Sequence, residues 1–429
     1  MSTMFRSLGI FNYRVWFIGA LVSNIGAWMQ STAQNWVVLT ELTPGDAGAV
    51  GITMALQFGP PLALVGVTGW VTDRFDRRHI LLATQAVSLL LAAAIGTLIL
   101  TGTMTLPLMY AFALALGLVA AFDNPARQAF VSDLVTRENT SNAVALNSAS
   151  FNAARMIGPA VAGLLIVLVG TGWMFLVNAL TFLATIGALL AMRRRELAPR
   201  VIMEGRSRLS DGFRYVGTRP DLIVVFIVVF LVGAFGMNFP IYASTMALEF
   251  GAGADGFGLL NSVLAIGSLT GALLAARRDR ARVRVVIAGV LGFAVASAVS
   301  SVMPTYALYA VTLVFTGFAV VTILSTANGY VQATTDAHMR GRVLAIYIAI
   351  LLGGTPVGAP IVGWVADELG PRAAIQLGTL AALIAAAIAI TWLVWSGRLH
   401  RGGRLRLRLD ETRPLRIVTQ PIAHTPSPR

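Results

Sequence analysis

Residues 69–102 read GWVTDRFDRRHILLATQAVSLLLAAAIGTLILTG. Five of the six positions from Asp73 to Arg78 are charged, and residues 79–101 then contain no Asp, Glu, Lys or Arg. At about 1.5 Å of rise per residue, an uncharged run of this length crosses a hydrocarbon core as an α-helix. The stretch therefore reads as a charged turn at a membrane face followed by a crossing.

The pattern recurs along the chain. Twelve uncharged or nearly uncharged runs lie at about 15–39, 48–72, 79–101, 105–123, 145–169, 172–192, 221–247, 256–276, 283–303, 306–330, 343–366 and 372–396. Helix is the open-ended element that satisfies all its own backbone hydrogen bonds without water, so each run is expected to span as helix. Composition agrees: 56% of 429 residues are hydrophobic, about 240 residues, which is the content of about twelve spans of about 20 residues. Charged residues make up 12%, half the roughly 25% of soluble domains, which argues against a soluble enzyme. The first run is too long for a signal-peptide core, lacks a small-residue cleavage site and precedes another span, so it is expected to be retained.

Charge placement gives an orientation. All 32 basic residues are Arg, against 19 acids, for a net charge of +13. Alternate connections hold Arg74, Arg77 and Arg78; Arg127 and Arg137; the 193–219 stretch; Arg277 to Arg284; Arg340 and Arg342; and the tail. The opposite set holds only Arg372. The asymmetry predicts cytoplasmic termini and Arg-rich loops, with anionic lipids as partners at that face. Dispersal of the charge over juxtamembrane loops also removes the nucleic-acid reading. The absence of cysteine excludes disulfides, thiol catalysis and Cys-ligated metals.

The longest connection divides the spans six and six. The expected units are a first six-helix bundle over 1–192, a linker over 193–220, a second bundle over 221–396 and a basic tail over 397–429, expected to be disordered, with a membrane-surface anchor as the alternative. Leu209, Phe213 and Val216 recur at helical spacing in the linker, so a short helix on the membrane surface or a solvated linker are both open. A shift of 200 residues superposes Ala145, Gly158, Gly163, Gly170, Leu180 and Leu183 on Ala345, Gly358, Gly363, Gly370, Leu380 and Leu383 without a gap. Gly158, Pro159, Gly163, Gly358 and Gly363 are expected at close helix crossings. The fold class is thus an all-α polytopic membrane protein of twelve transmembrane helices in two pseudo-symmetric six-helix bundles, an architecture of secondary transporters.

The loop Gly69-Trp-Val-Thr-Asp73-Arg74-Phe-Asp76-Arg77-Arg78 resembles the G-x-x-x-D-R-x-G-R-R signature of the major facilitator superfamily, with Asp76 at the second glycine. The resemblance implies a gate latch, in which Gly69 permits close approach and Asp73 faces the N-terminus of the eleventh helix near Arg340, Arg342 and Val343. Asp123-Asn-Pro125-Ala-Arg127-Gln128, Asn142 to Ser148, Asn152 to Gly163, Gln332, Arg340-Gly341-Arg342 and Gly358 to Gly363 make it more specific. Over residues 10 to 395 they are similar to the transmembrane secretion effector branch, which contains the enterobactin exporter and macrolide efflux proteins. Arg155 to Gly163 resembles the fifth-helix antiporter motif without its flanking glycines. The fourth-helix Arg of many drug antiporters is missing, since Ala111 to Leu116 is wholly apolar.

Intramembrane charges cost at least about 2.5–3.5 kcal/mol each at the helix centre, so those retained are expected to be paired or to line water. Asp123 and Arg155 are the candidates, with Asp123 changing protonation or partner and Arg155 as counter-charge or substrate contact. The alternatives are a static pair, or Asp123 with Arg127 one turn on. Neutral polar residues outline a cavity: Asn24, Trp28, Gln30, Ser31, Gln34 and Asn35 on the first helix; Ser148 and Asn152; Asn238 and Tyr242 with Thr245; Asn261 with Ser268; Asn328 and Gln332 with Ser325. Amides mixed with aromatics suit an amphipathic organic substrate better than a small ion.

Other motifs fail on context. Gly251 to Gly256 matches G-x-G-x-x-G outside any strand–helix turn, and Asn139-Thr-Ser141 is a sequon on the expected cytoplasmic side. His79, His338, His400 and His424 are too dispersed for a metal site, so neither metal nor cofactor is expected. The leading expectation is a multi-pass transporter of the bacterial cytoplasmic membrane that exports small organic molecules by alternating access, driven by an ion gradient, with the proton as coupling ion. An importer on the same scaffold, a non-transporting receptor and a membrane enzyme remain the alternatives.

Overall fold

The computed structural model describes residues 3–196, 209–276, 282–336, 338–396, 399–402 and 406–409. The first half contains α1 (Phe11–Val37), α2 (Ala47–Ala63), α3 (Val65–Arg74), α4 (Arg77–Leu100), α5 (Leu106–Asp133), α6 (Thr140–Val169) and α7 (Thr171–Ala191). A linker helix α8 (Leu209–Gly217) leads to α9 (Pro220–Leu231), α10 (Phe239–Glu249), α11 (Ala254–Ala276), α12 (Val283–Ser301), α13 (Tyr306–Thr334), α14 (Arg340–Leu369) and α15 (Pro371–Trp395). Beyond them Leu399–Gly402 pairs antiparallel with Arg406–Leu409; the rest of the 397–429 tail lies outside the described residues, as does 197–208 of the linker.

Ten helices are long and apolar enough to cross a membrane, and α2 with α3 forms an eleventh crossing bent by 56°. The twelfth, α1, is 27 residues long; Asn24, Gln30, Ser31, Gln34 and Asn35 dilute its hydropathy. It packs against α6 and α7 of its own half. The bend between α2 and α3 follows Pro60 and Pro61, which lack N–H donors and clash with the preceding turn. The span formed by α9 and α10 is broken by a wide turn over Val232–Gly236.

Close packing depends on glycine, because apolar lipid supplies no hydrophobic drive for helices to associate. A Cβ on Gly158 would strike the Ile25 carbonyl and Trp28, and one on Gly358 would strike the Ala234 carbonyl. A Cβ on Gly163 would meet the Ala254 carbonyl at the start of α11, and one on Gly363 the Ala47 carbonyl at the start of α2. The two members of each 200-residue pair thus face equivalent backbones. Gly170 (φ 85°, ψ 166°) and Gly370 (φ 92°, ψ 162°) make the same tight turn, α6 to α7 and α14 to α15, at a positive φ that favours glycine.

The halves meet along two seams, α2 on α14 and α6 on α11. Both lie toward the Arg-poor ends of the helices, here termed the neutral end. The first seam runs from Ala47 and Gly48 against Asp367 to Leu62 against Gly353. There the proline bend turns α3 away from α14, and α3 packs on α5 of its own half. The second seam runs from Gly163 at Ala254 to the Ser262 hydroxyl, which donates to the Met156 carbonyl at 3.0 Å. Among the described residues no seam of comparable extent joins the halves at the Arg-rich, basic end.

Charged side chains at the two ends mostly brace their own half. Arg77 pairs with Asp133 at 2.7 Å, and the Arg78 Nε–H donates to the Leu189 carbonyl at 2.8 Å. Asp76 caps α4 by accepting from the Arg78 backbone at 2.8 Å, so the residue that departs from the glycine pattern starts a helix. Arg219 forks onto Asp221 at 2.9 and 2.7 Å and donates to the Thr334 carbonyl at 3.1 Å, joining α9 to α13; the bonded carboxylate holds the guanidinium above its ordinary pKa. At the neutral end Arg372 pairs with Glu249 at 2.6 Å. In the linker, α8 sets Gly212 against Arg342 and Ile346 and buries Val216, leaving Phe213 exposed.

Gly358→Ala places a methyl group against the Ala234 backbone, an overpacking error of about 1–3 kcal/mol. Thermal unfolding of detergent-purified protein is expected to show a lower midpoint for Gly358→Ala than for Gly341→Ala, whose Cβ meets open space.

Candidate functional site

Two adjoining cavities lie within the first half. One, of about 170 Å³, reaches from Gln57, Ser88 and Leu116 near mid-depth to Asp123, Asn124 and Arg127. The other, of about 430 Å³, continues past Asn124 and Arg127 to Gln128, Val131, Val144 and Asn147 near the basic end. Asn24, Asn124, Arg127 and Phe151 line both. From Leu116 to Val131 α5 rises about 22 Å, so the pair runs over most of the basic-end half of the membrane.

Asp123 is 8% exposed and is held by three converging donors. The Thr84 hydroxyl (2.7 Å) and Gln85 Nε2–H (2.9 Å) donate to one carboxylate oxygen, and Arg127 Nε–H donates to the other at 2.9 Å. The helical offset of four residues brings Arg127 to Asp123, so the ion pair of Asp123 is made to Arg127 and not to Arg155. The Arg127 guanidinium lies 5.5 Å from the centre of the Trp16 ring, and its Nη1 has no partner among the described residues. Arg127 is therefore a fixed cation that lines both cavities, with Nη1 itself buried. Arg155 lies 5.7 Å from the centre of the Trp28 ring, and Trp28 meets Phe151 edge-on at 5.9 Å.

Of the first-helix stripe, Asn24, Trp28 and Gln30 reach the cavities, and Ser148 and Asn152 join them from α6. The Gln30 side-chain oxygen also accepts from Asn178. Ser31 does not line either cavity. Gln34 is fully buried, and among the described residues both its polar side-chain atoms and Asn35 Oδ1 have no partner, above the cavities toward the neutral end.

The second-half candidates do other work. Asn238 and Tyr242 donate to the Ala234 and Phe235 carbonyls, which the break between α9 and α10 leaves without helical partners. They seal the break and do not line the first-half cavities. Asn261 donates to the Phe257 carbonyl at 3.0 Å. Asn328 and Gln332 bond each other at 2.6 Å.

The loop residues are also placed differently from expectation. A Cβ on Gly69 would meet open space, so Gly69 makes no close helix contact in this conformation. Asp73 is exposed and carries no hydrogen bond or ion pair among the described residues. Arg74 stacks over Trp70 at 5.7 Å. Arg342, expected beside Asp73, lies 3.7 Å from Asp211 of α8; Arg340 starts α14.

Several lining residues escaped the sequence reading as cavity walls: Gln57, Gln85, Ser88, Asn124, Gln128 and Asn147. Gln57 and Gln85 carried the same signal as Asn24, an amide within an apolar run. Asn124 and Gln128 share a helical face with the Asp123–Arg127 turn. Among the described residues no three His, Asp or Glu side chains gather as a metal site.

Comparison with known proteins places this geometry. The transmembrane secretion effector profile matches residues 2–398. The multidrug efflux pump Tap of Mycolicibacterium fortuitum is 26% identical over 86% of this chain and 93% of that protein. The enterobactin exporter EntS of Shigella flexneri is 23% identical over 89% and 92%. The staphyloferrin A transporter of Staphylococcus aureus is 29% identical over a shorter segment, 39% of this chain and 42% of that protein. Among solved structures, a bacterial homologue of the human lysosomal transporter Spinster, inward-facing and unoccupied, superposes with TM-score 0.72 at 16% identity, covering 89% of this chain and 96% of that one. A D-xylose–proton symporter gives TM-score 0.67 at 14% identity, covering 90% and 96%. The chain is a multi-pass membrane transporter, not an enzyme, and it belongs to the transmembrane secretion effector family of the major facilitator superfamily.

Proposed function

We propose that this transporter is a secondary active exporter of amphipathic organic compounds in a bacterial cytoplasmic membrane, with both termini and the basic end in the cytoplasm. The observation that carries the reading is the pair of cavities, whose amide and aromatic walls surround one fixed cation and extend toward the basic end. An exporter must load from the cytoplasm, and the Arg asymmetry supports the basic end as that side. Relatives aligned over nearly their whole length are named an efflux pump and an enterobactin exporter.

The substrate class follows from the wall. Phe151, Phe182 and Trp28 offer apolar area, Asn24, Asn124 and Asn147 offer adaptable hydrogen bonds, and the Arg127 guanidinium suits a carboxylate, phenolate or polarised carbonyl. A substrate anion that takes Arg127 loosens its hold on Asp123. Binding at Arg127 and the charge state of Asp123 are thereby linked, which makes Asp123 the coupling candidate.

Expression in an efflux-deficient bacterium is expected to raise tolerance to amphipathic drugs or siderophore-like compounds, and a protonophore is expected to abolish the difference. Accumulation of the compound in intact cells, with none in everted vesicles, would establish import instead. Asp123→Asn removes the titratable group while keeping acceptors for Thr84 and Gln85. It is expected to flatten the pH dependence of transport with membrane abundance near that of the parent; a superimposable pH profile excludes Asp123 from coupling. Arg127→Gln leaves the buried Asp123 charge without its partner, a loss of about 3–5 kcal/mol, and is expected to lower both thermal stability and transport. Arg127→Gln,Asp123→Asn together should recover stability but not transport, as read by unfolding and flux on the same preparations.

A further inference from the structure

The pentapeptide that closes the bent span, Gly69-Trp-Val-Thr-Asp73, recurs as Gly363-Trp-Val-Ala-Asp367 at the end of α14. The helices that carry the two copies, α2 with α3 and α14, are antiparallel partners along one seam. Each copy therefore stands at the membrane face where the other helix begins. Those beginnings also match: Ala47-Gly48 opens α2 and Arg340-Gly341 opens α14.

At the neutral end the match is engaged. The Asp367 carboxylate accepts from the Ala47 N–H at 2.6 Å and the Gly48 N–H at 2.7 Å. These are two of the first donors of α2, which have no intrahelical acceptor, and a carboxylate there also meets the positive end of the helix dipole. Asp46 serves the next turn, accepting from Ala49 N–H at 2.7 Å. Gly363 lies on the Ala47 carbonyl, and Gly48 leaves no room for a Cβ beside the Asp367 carboxylate. Trp364 of this copy points outward, 59% exposed.

At the basic end the same parts are present and idle. Gly69 and Gly341 both face open space, Asp73 is exposed and without partner among the described residues, and Trp70 is 56% exposed. We propose that Asp367 is a gating residue, a carboxylate latch on the α2 N-terminus that holds the neutral end shut. Its counterpart is Asp73, to which the family resemblance already gives a latch on the α14 N-terminus when the basic end shuts, and the protein exchanges one latch for the other. The proline bend at Pro60 and Pro61 makes the exchange exclusive, since with the neutral-end seam closed α3 is turned away from α14. The proposal rests on alternating access but not on the direction of transport or its substrate.

The cysteine-free chain allows the test by pulsed spin-label distance measurement in liposomes. Labels at Thr103→Cys and Val302→Cys, on exposed neutral-end positions of the two halves, report the opening of that end. Asp367→Ala is expected to move the ratio of long to short distances about tenfold toward long, the scale of a charge-assisted contact at a helix terminus. Ala47→Pro removes one donor from the other partner at a position that tolerates proline, and should shift the ratio in the same direction. Asp73→Ala should shift it the opposite way, and the double Asp73→Ala,Asp367→Ala should return it toward the parent. Two populations indifferent to Asp367→Ala and Ala47→Pro would overturn the latch and leave alternating access standing. A single distance in every variant would overturn both.

Discussion

The structure depends on backbone meeting backbone across the two seams. Inside lipid, apolar side chains gain little by leaving hydrocarbon for protein, so helices are held by dispersion and dipolar contact at short range. That contact requires missing side chains. Gly51 on the Ala359 carbonyl, Gly363 on the Ala47 carbonyl, Gly163 on the Ala254 carbonyl and Gly258 on the Pro159 carbonyl supply it, all toward the neutral end. The halves are thereby joined at one face and separated at the other, and the cavities extend toward the separated face. Bend, seam and cavity form one causal sequence, because the first seam stops where Pro60 and Pro61 redirect the chain.

Within the first half the cost of burying Asp123 sets the chemistry of the wall. A carboxylate among apolar helices persists only with donors around it, and Thr84, Gln85 and Arg127 meet that need. The cost is offset with one Arg127 nitrogen left over. That nitrogen is itself buried, and it is the position of the guanidinium in the lining of both cavities that suits this wall to a further anion. Trp16 under the guanidinium keeps it in place without consuming a hydrogen bond.

Much of the fold was legible because membrane insertion writes itself into composition. Arg avoids the neutral end apart from Arg372, and the 200-residue offset anticipated that Gly170 and Gly370 turn alike. The site was less legible, since an intramembrane amide has two uses that look the same in sequence. Asn24 lines the cavity, whereas Asn238 seals a break in its own span; the break arises from helix packing, not from a local motif. Gln57 and Gln85 are hard to read as wall residues for the converse reason, each being isolated in its helix while its partners lie on others. Gly69 and Asp73 present a further difficulty. The proposed latch assigns their contact to a conformation other than this one, so neither residue shows its use here.

The most direct measurement is side-specific alkylation of Ser148→Cys, an exposed cavity-wall position in a chain with no other thiol. A membrane-impermeant maleimide should label it in everted vesicles and not in intact cells, and a transported compound should protect it. Labelling from outside intact cells would contradict the assignment of the cavities to the cytoplasmic face. Labelling in everted vesicles without protection by any transported compound would contradict their role as the substrate path.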